Sequence, residues 1–436
     1  MTVLYTDRSR IETGEHCERK RYWQYHYLGK GLEKVDDLKL DARIGTWTHW
    51  GIEQGLHLGD RMNAAECATG AGEGFIADCK GNLGTSLMDQ PPQLQHDVIE
   101  GGQIVTALVY AWLRVKAPRL LQDGEVLAIE KELTVDFSVA TAATVTHPVL
   151  MNETIVRLMA RPDIIWRRRQ DGTIFIRNLK TVRKADDKWR EKWALDMQTL
   201  SEPLAVDEWL RRNVENTQPD DVCGGVIIDG LVTGEVLFDK YKQVFYHNNP
   251  LVYAWHQSDE SVLGGSGIFY PRYEYSCTAP HKLGNGHKCE GGKLHRLGKG
   301  VTKVSVAERY PGGIISWIDN LIDNDPMLID EMLIELPPII RSDYQIERWK
   351  RQVLPREVRI NRDAARVNAA LPDVRAEHIL DDTFPMSTAG GNCLYPGKCM
   401  AYNLCHGSAA IDPLNSGFRY RTFNHPTESE TISEKS

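Results

Sequence analysis

Long apolar stretches are absent from this sequence of 436 residues. No uninterrupted apolar run approaches the roughly 20 residues that a membrane-spanning helix needs, and the first residues, MTVLYTDRSRIETGEHCERK, lack the apolar core of a secretion signal. A net positive charge is absent too, because the formal net charge is −8. We therefore expect a cytoplasmic protein with no membrane partner, in which any contact with nucleic acid is confined to local basic segments.

The composition is that of a folded globular protein, with 42% hydrophobic and 26% charged residues. At this length two or three domains are expected. Changes in composition divide the chain into five segments: a helical segment (1–95), an α/β core (96–235), a region rich in Gly, Cys and His (236–310), a second helical segment (311–425) and a disordered tail (426–436).

Hydrophobic periodicity within the core alternates between the helical and the extended pattern. It predicts a helix, three β-branched strands, a second helix and a further strand, in this order: 96–117, 125–137, 153–168, 173–182, 195–212 and 223–235. The sequence DGT at 171–173 predicts a hairpin turn between the second and third strands. The Gly- and Pro-rich stretch 70–93 predicts a loop. This order of elements indicates an α/β fold.

Three short segments combine Lys and Arg with Trp or Tyr: 18–30, 166–170 and 180–193. These residue types bind phosphates and stack on bases, so the segments suggest contact with nucleic acid. Solvated basic faces with packed aromatic side chains would leave the same pattern. The sequence leaves both interpretations open.

The nine cysteines are unevenly distributed and, without a secretion signal, indicate metal or redox chemistry rather than disulfides. Three stand alone and are expected to be packing residues: Cys67, Cys79 and Cys223. Three others are spaced C-x5-C-x5-C, one ligand short of a four-thiolate centre: Cys393, Cys399 and Cys405. Cys17 is the prominent candidate for the fourth ligand of a zinc ion or an iron–sulfur cluster, and the long spacing favours the cluster. Unrelated buried cysteines are the alternative.

One N-terminal cysteine with three clustered C-terminal ones resembles the iron–sulfur clasp of RecB-like nucleases, which include AddB-type helicase-nucleases and CRISPR-associated RecB-like exonucleases. The resemblance implies a PD-(D/E)XK, restriction-endonuclease-like core, in which helices flank a mixed central sheet. It also implies helical N- and C-terminal segments joined by a 4Fe–4S cluster. FPMSTAGGNC (384–393) is similar to the closing segment of phage-encoded members, which implies the cytoplasm of a bacterial host cell.

The same family places its metal site on four motifs, and similar segments occur here in the same order: GTWTH (45–49), ARPDII (160–165), NLKT (178–181) and DMQTL (196–200). The resemblance implies that Mg²⁺ or Mn²⁺ is held by four residues: His49, Asp163, Asn178 and Leu179, the last through its carbonyl. It further implies that Lys180 orients the attacking water and that Gln198 positions water or substrate.

The residue types suit this chemistry. Hard divalent cations prefer oxygen ligands, and hydrolysis of a phosphodiester needs such a cation to acidify a water. Lys180, two residues after position 178, points to the same face of the strand. Each residue also has a plainer interpretation: His49 as a core histidine, Asp163 as a turn acid and Lys180 as a solvated strand end. The family has a tyrosine four residues after its glutamine, where this chain has Glu202.

Position 178 departs from the motif, because the family has an acid where this chain has Asn178. Asparagine keeps one ligating oxygen but removes a formal charge, so we expect weaker binding of Mg²⁺. Three interpretations remain: an engineered substitution, a natural nuclease with an acid supplied from elsewhere, and a natural pseudo-nuclease that only binds DNA. The motif alone predicts that Asn178→Asp raises metal-dependent cleavage.

A second group of cysteines and histidines lies in the Gly-rich stretch 273–298. Five of its residues are candidate ligands for tetrahedral Zn²⁺: Cys277, His281, His287, Cys289 and His295. Their C-x3-H and H-x-C spacings match no standard zinc motif, so a loop that faces DNA is the alternative.

The resemblance as a whole implies a deoxyribonuclease that hydrolyses phosphodiester bonds with a divalent metal, as an exonuclease on duplex ends or single-stranded DNA. One alternative is a DNA-binding or recombination-accessory protein that uses the same groove without catalysis. Another is a subunit of a phage or host-defence complex, with a recombination or defence protein as its partner.

Overall fold

The computed structural model describes the chain in several stretches. The described residues are 2–35, 38–61, 63–83, 86–140, 153–183, 185–213, 221–233, 273–277, 281–282, 288–289, 301–305, 313–324, 326–371, 376–386, 391–394, 398–407, 410 and 412–421. The predicted disordered tail (426–436) and most of the predicted Gly-, Cys- and His-rich region (236–310) lie outside these residues.

The chain forms a mixed α/β structure. In chain order the strands are β1 (Thr2–Asp7), β2 (Leu32–Lys34), β3 (Gly124–Ile129), β4 (Leu133–Ala140), β5 (Glu153–Ala160), β6 (Ile164–Arg168), β7 (Ile174–Val182), β8 (Cys223–Val232), β9 (Tyr273–Cys277), β10 (His281–Lys282), β11 (Lys288–Cys289), β12 (Val301–Ser305), β13 (Leu333–Glu335) and β14 (Phe418–Tyr420). The α-helices are α1 (Arg8–His16), α2 (Glu18–Arg21), α3 (Leu40–Leu58), α4 (Ala64–Leu83), α5 (Pro92–Asp123), α6 (Asp187–Lys192), α7 (Gln198–Arg212), α8 (Gly313–Asn324), α9 (Pro326–Met332), α10 (Asp343–Ala370), α11 (Ala376–Thr383), α12 (Gly391–Leu394) and α13 (Tyr402–His406).

A five-stranded sheet in the order β13-β8-β7-β6-β3 lies at the centre. β7 and β8 run parallel, and the other neighbouring strands are antiparallel. The turn between β6 and β7 contains Gly172 with φ +73°, a left-handed conformation that glycine adopts without steric cost. The predicted hairpin at 171–173 is therefore confirmed, as is the general α/β class.

Helices cover both faces of this sheet, because successive side chains of a strand point to opposite sides. On β7, Phe175 and Leu179 pack into a core shared with α3, α4, α5 and α8. Ile174 and Ile176, on the other face, pack with residues of α6, α7 and α10. Burial of each such side chain contributes about 1.5–3 kcal/mol relative to exposure, so the continuous apolar run Ile174–Ile176, buried on both faces, fixes β7 between the two layers.

A second sheet, in the order β1-β5-β4, begins with the first strand of the chain. β1 runs parallel to β5, with Thr2 opposite Thr154 and Asp7 opposite Met159. The N-terminal segment, predicted as helical, therefore also contains a β-strand. The strand at 2–7 was not predicted.

Three predicted elements differ from the structure. The strand predicted at 125–137 is two strands, β3 and β4, separated at Glu130, which has φ +47°. The strand predicted at 153–168 is likewise two strands, β5 and β6. The loop predicted at 70–93 is wrong over most of its length, because α4 continues to Leu83. Two of its glycines serve close helix packing: a Cβ on Gly72 would lie 2.1 Å from Thr106 Oγ1 of α5, and one on Gly74 would lie 2.2 Å from the Trp47 ring of α3.

α5, predicted as a helix at 96–117, is a core helix. Its stretch Asp97–Asp123 is the one helix among the described residues that is long and apolar enough to cross a membrane, and 82% of its most apolar window is buried inside the protein. Trp112 and Leu108, for example, are fully buried. Packing against α3 and α4 accounts for this apolar composition.

The two ends of the chain meet through strand pairing and a buried ion pair. β2 pairs with β14, and Arg21 of α2 forms a two-pronged ion pair with Glu357 of α10, at 2.5 and 2.6 Å. A core cluster joins the same region, with Tyr22 stacked on Phe384. The region that contains the predicted cluster cysteines is therefore held together by contacts of its own.

Candidate metal centre

Two predicted ligands, His49 and Asp163, and one acid that was not predicted, Glu130, converge at the central sheet. Nδ1 of His49 lies 3.7 Å from Oδ1 of Asp163 and 3.9 Å from Oε1 of Glu130. Within the described part of the chain this is the one group of three or more His, Cys, Asp or Glu residues whose ligand atoms all lie within 4.8 Å of one another. Two carboxylates and one imidazole suit a hard or borderline divalent cation such as Mg²⁺ or Mn²⁺.

α3 places His49 because its N-terminal half comes very close to the end of β7. A Cβ built on Gly45 would lie 2.9 Å from Oγ1 of Thr181, so glycine permits this approach. His49 follows Gly45 by four residues, which puts both on one face of the helix. The glycine and the threonine of the two motifs thus meet each other in space.

The two strand breaks place the carboxylates. Glu130 follows β3 in the left-handed region, at a cost of about 1–3 kcal/mol for a side chain of this kind, and its N–H donates to the carbonyl of Asp163 at 2.9 Å. Asp163 itself stands directly before β6, and its Oδ2 accepts the N–H of Leu179 at 2.6 Å. Both acids are therefore fixed through the backbone of neighbouring strands.

β7 brings Lys180 to the same centre. Its Nζ lies 3.8 Å from Oδ2 of Asp163, and Asn178, two residues earlier, shares its side of the strand. The Asn178 side chain is fully buried, and its Oδ1 lies 3.4 Å from the N–H of Asp163. The backbone N–H of Leu179 donates to Asp163. Metal binding by the Leu179 carbonyl stays a prediction.

A chain of hydrogen bonds continues from Asn178 into α7. Nδ2 of Asn178 donates to Oε2 of Glu202 at 2.6 Å, and Nε2 of Gln198 donates to Oε1 of Glu202 at 2.5 Å. Oε1 of Gln198 in turn accepts a hydrogen bond from Arg8 of α1. Gln198 thus lies beside the centre, where the motif places it, and both its amide nitrogen and its amide oxygen have protein partners.

One acid of the centre, Glu130, and one acid beside it, Glu202, have raised pKa values. Burial raises the pKa of Glu202 to about 7, against the opposing effects of the Lys180 ammonium and the hydrogen bonds from Asn178 and Gln198, while Asp163 adds to the rise. Burial also raises the pKa of Glu130, opposed by a hydrogen bond from His49 and reinforced by Asp163. Crowded carboxylates of this kind are stabilised in their charged form by a cation.

Three cations gather on the α7 side of the centre. Burial lowers the pKa of Lys192, and the neighbouring cations Arg8 and Lys180 lower it further, while Asp196 opposes the shift. Arg161, half exposed, lies beside Glu130, with its Nε 3.1 Å from Oε2 of that acid. A phosphate that reaches the metal centre would therefore meet positive charge near it.

Of the residues predicted from the motifs, the structure brings His49, Asp163, Asn178 and Lys180 together with Gln198. Glu130 and Glu202 were not predicted as site residues. A strand break such as that at Glu130 leaves no periodic pattern in the sequence. Glu202 could have been found from the sequence. Residues four apart share one face of a helix, so an acid four residues after Gln198 lies on the same side of the helix as the glutamine.

The predicted cluster cysteines lie near one another without forming a described metal centre. The pKa of the Cys405 thiol is raised to about 11, chiefly by burial, opposed by Arg19 and reinforced by Cys17, Cys399 and Cys393. The N–H of Cys399 donates to the carbonyl of Cys393 at 2.8 Å. The four-thiolate site and the 4Fe–4S cluster both stay predictions.

The predicted zinc ligands are only partly described. Cys277 ends β9, and His281 of β10 faces Cys289 of β11 in the strand register, while His287 and His295 lie outside the described residues. The prediction of Zn²⁺ therefore stays untested.

Comparison with protein-family models found no family that matches the chain, and comparison with curated proteins found no significantly similar sequence.

Proposed function

We propose that this protein hydrolyses phosphodiester bonds of DNA with Mg²⁺ or Mn²⁺, acting on DNA ends or single strands as a member of the RecB-like PD-(D/E)XK group. The observation that carries the proposal is the convergence of His49, Glu130 and Asp163 within 4.8 Å, with the Lys180 ammonium 3.8 Å from Asp163. An acid pair, an imidazole and a lysine at the end of a buried strand are the groups that this chemistry needs.

A divalent cation in such a site neutralises the phosphate and lowers the pKa of a bound water. The residues of the chain supply the rest. Asp163 is held by the N–H of Leu179, so its second oxygen, 3.7 Å from His49, is available as a ligand together with Glu130. Lys180 is placed to orient the attacking water and to stabilise charge that develops on the phosphate oxygens.

The charge distribution around the centre supports a nucleic-acid substrate. Arg8, Lys180 and Lys192 are near enough to one another to interact electrostatically, and Arg161 lies beside Glu130. Such cations bind the backbone phosphates of DNA without reading its sequence. The predicted contact of segment 180–193 with nucleic acid fits this position.

Four cysteines are proposed to hold a 4Fe–4S cluster with a structural role: Cys17, Cys393, Cys399 and Cys405. The electrostatic influence of the first three on Cys405 supports this assignment, and thiolates are the ligands that such clusters need. Cys17 precedes α2, whose Arg21 pairs with Glu357. The cluster would therefore strengthen a junction that the protein already makes between its two ends.

A DNA-binding protein without catalysis is the second candidate. Asn178 favours it, since this residue removes a charge at the position where the family has an acid. In that case the cations around the centre would still bind DNA. Binding without cleavage, at any metal concentration, would be the result that selects this candidate.

Cleavage of end-labelled single- and double-stranded DNA tests the proposal, with Mg²⁺, with Mn²⁺ and with a chelator. We expect cleavage that the chelator abolishes and that Asp163→Asn lowers at least a hundredfold, because this change removes a charge from the convergent acids. Asp323→Asn, at an exposed position of α8, is the matched control and should cleave like the unchanged protein. Cleavage that survives in Asp163→Asn would reject the proposal.

A further inference from the structure

The amide of Asn178 is oriented by its two neighbours. Its Oδ1 faces the N–H of Asp163, and its Nδ2 donates to the carboxylate of Glu202 at 2.6 Å. The opposite orientation would place an amide oxygen against a carboxylate and an amide nitrogen against an N–H, and both contacts are repulsive. Asn178 therefore donates a hydrogen bond to an acid on α7, which an ionised aspartate at this position could not do.

Glu202 is buried, and both of its carboxylate oxygens are hydrogen-bonded. It is 5% exposed, and each of its oxygens accepts a hydrogen bond from a buried amide, of Asn178 and of Gln198. The Lys180 ammonium and the Asp163 carboxylate both act on it electrostatically. Buried carboxylates are rare unless paired, so its position between these groups needs an explanation.

We propose that Glu202 supplies, from α7, the carboxylate that position 178 lacks, and that it belongs to the acids of the metal site together with Asp163 and Glu130. This inference rests on the proposed function. In this assignment the acid lies on the facing helix instead of on the strand, and Asn178 donates the hydrogen bond that positions it. The centre thereby keeps the negative charge that binding of a divalent cation needs, although its strand motif has lost one.

This assignment changes what Asn178→Asp should do. An aspartate oxygen in place of Nδ2 would lie at about hydrogen-bond distance from Oε2 of Glu202. Two carboxylates so close cannot both be ionised, so they would share one proton and carry a single negative charge. Asn178→Asp alone should therefore bind metal no more tightly than the unchanged protein. Glu202→Gln should lose an acid, and the double change should return the acid to the strand.

The test is a charge exchange measured by metal binding and by cleavage. Calorimetric titration with Mn²⁺ is carried out on the full chain and on four variants: Glu202→Gln, Asn178→Asp, the double variant and Asp163→Asn. Glu208→Gln, on the same helix and paired with Arg212 at the surface, is the matched control. Thermal unfolding of each metal-free variant identifies any that fails to fold.

We expect Glu202→Gln to bind Mn²⁺ at least tenfold more weakly, and the double variant to recover affinity and cleavage to within threefold. Glu208→Gln should bind like the unchanged protein. Unchanged Mn²⁺ affinity in a folded Glu202→Gln variant would overturn the assignment of Glu202, while a loss in Asp163→Asn would leave the proposed function standing. Loss in Glu202→Gln without recovery in the folded double variant would also overturn it. If Asp163→Asn binds Mn²⁺ like the unchanged protein, the proposed function fails, and this inference fails with it.

Discussion

Replacing Glu357 with glutamine would leave a buried arginine without its counter-ion. The Glu357 carboxylate accepts hydrogen bonds from both terminal nitrogens of Arg21, at 2.5 and 2.6 Å, and from the hydroxyl of Thr6, at 2.5 Å. Both side chains of the ion pair are 1% exposed, so water cannot replace the lost charge. Glutamine has nearly the same size, and the change therefore isolates the charge from the packing.

The expected cost is large because the remaining Arg21 charge stays buried. Neutralising one partner of a buried ion pair costs about 3–5 kcal/mol, and the two charge-assisted hydrogen bonds at about 1.5–3 kcal/mol each agree with that range. Glu347→Gln is a matched control on the same helix, since Glu347 pairs with Lys350 at the exposed surface. Ion pairs of that kind contribute little, so the control should unfold like the unchanged protein.

Urea unfolding measures the difference, followed by tryptophan fluorescence and circular dichroism. Trp23, one of eleven tryptophans, is 2% exposed and belongs to the core cluster that joins the two chain ends, so exposure of this region contributes to the change in fluorescence. We expect Glu357→Gln to lower the free energy of unfolding by about 3–5 kcal/mol. A loss smaller than about 1 kcal/mol, the scale of a surface pair, would refute the buried pair.

Two further predictions concern the metal centre and the cysteines. Gly45→Ala should lower cleavage at least tenfold while the fold is kept, because the added Cβ would come within 2.9 Å of Thr181 and move the helix that carries the histidine. Adding Thr181→Ala should restore part of the loss, and the absence of any loss in Gly45→Ala would contradict the close approach. Cys405→Ala should lower the iron content of the purified protein by more than half, whereas Cys67→Ala, in the core of α4, should retain it. Equal iron contents in the two variants would argue against the cluster.

The elements that could be predicted from the sequence are those whose apolar residues repeat without interruption. The helix at 195–212, the strand at 223–235 and the hairpin that opens β7 follow from such patterns. The structure departs from the predictions where a residue serves geometry instead of burial. Gly72 permits a close helix contact, which from sequence alone is indistinguishable from a glycine in a loop.

The candidate site shows the same limit. His49, Asp163 and Lys180 follow from motifs in which the spacing along one element determines the position in space. Glu130 reaches the site only because β3 breaks beside Asp163, and Glu202 contacts Asn178 only because α7 packs against the same side of the sheet. Contacts between elements distant in sequence are set by tertiary packing, which periodicity does not encode.

The parallel pairing of β1 with β5 has a consequence for how the protein is made. The first strand of the chain has no β5 to pair with until residues 153–160 have been synthesised, which takes about 10–30 s at typical translation rates. During that interval its polar backbone edge is open to other chains. Newly made protein should therefore depend more on chaperones than the finished protein does, and rapid overproduction should favour aggregates over folded chains.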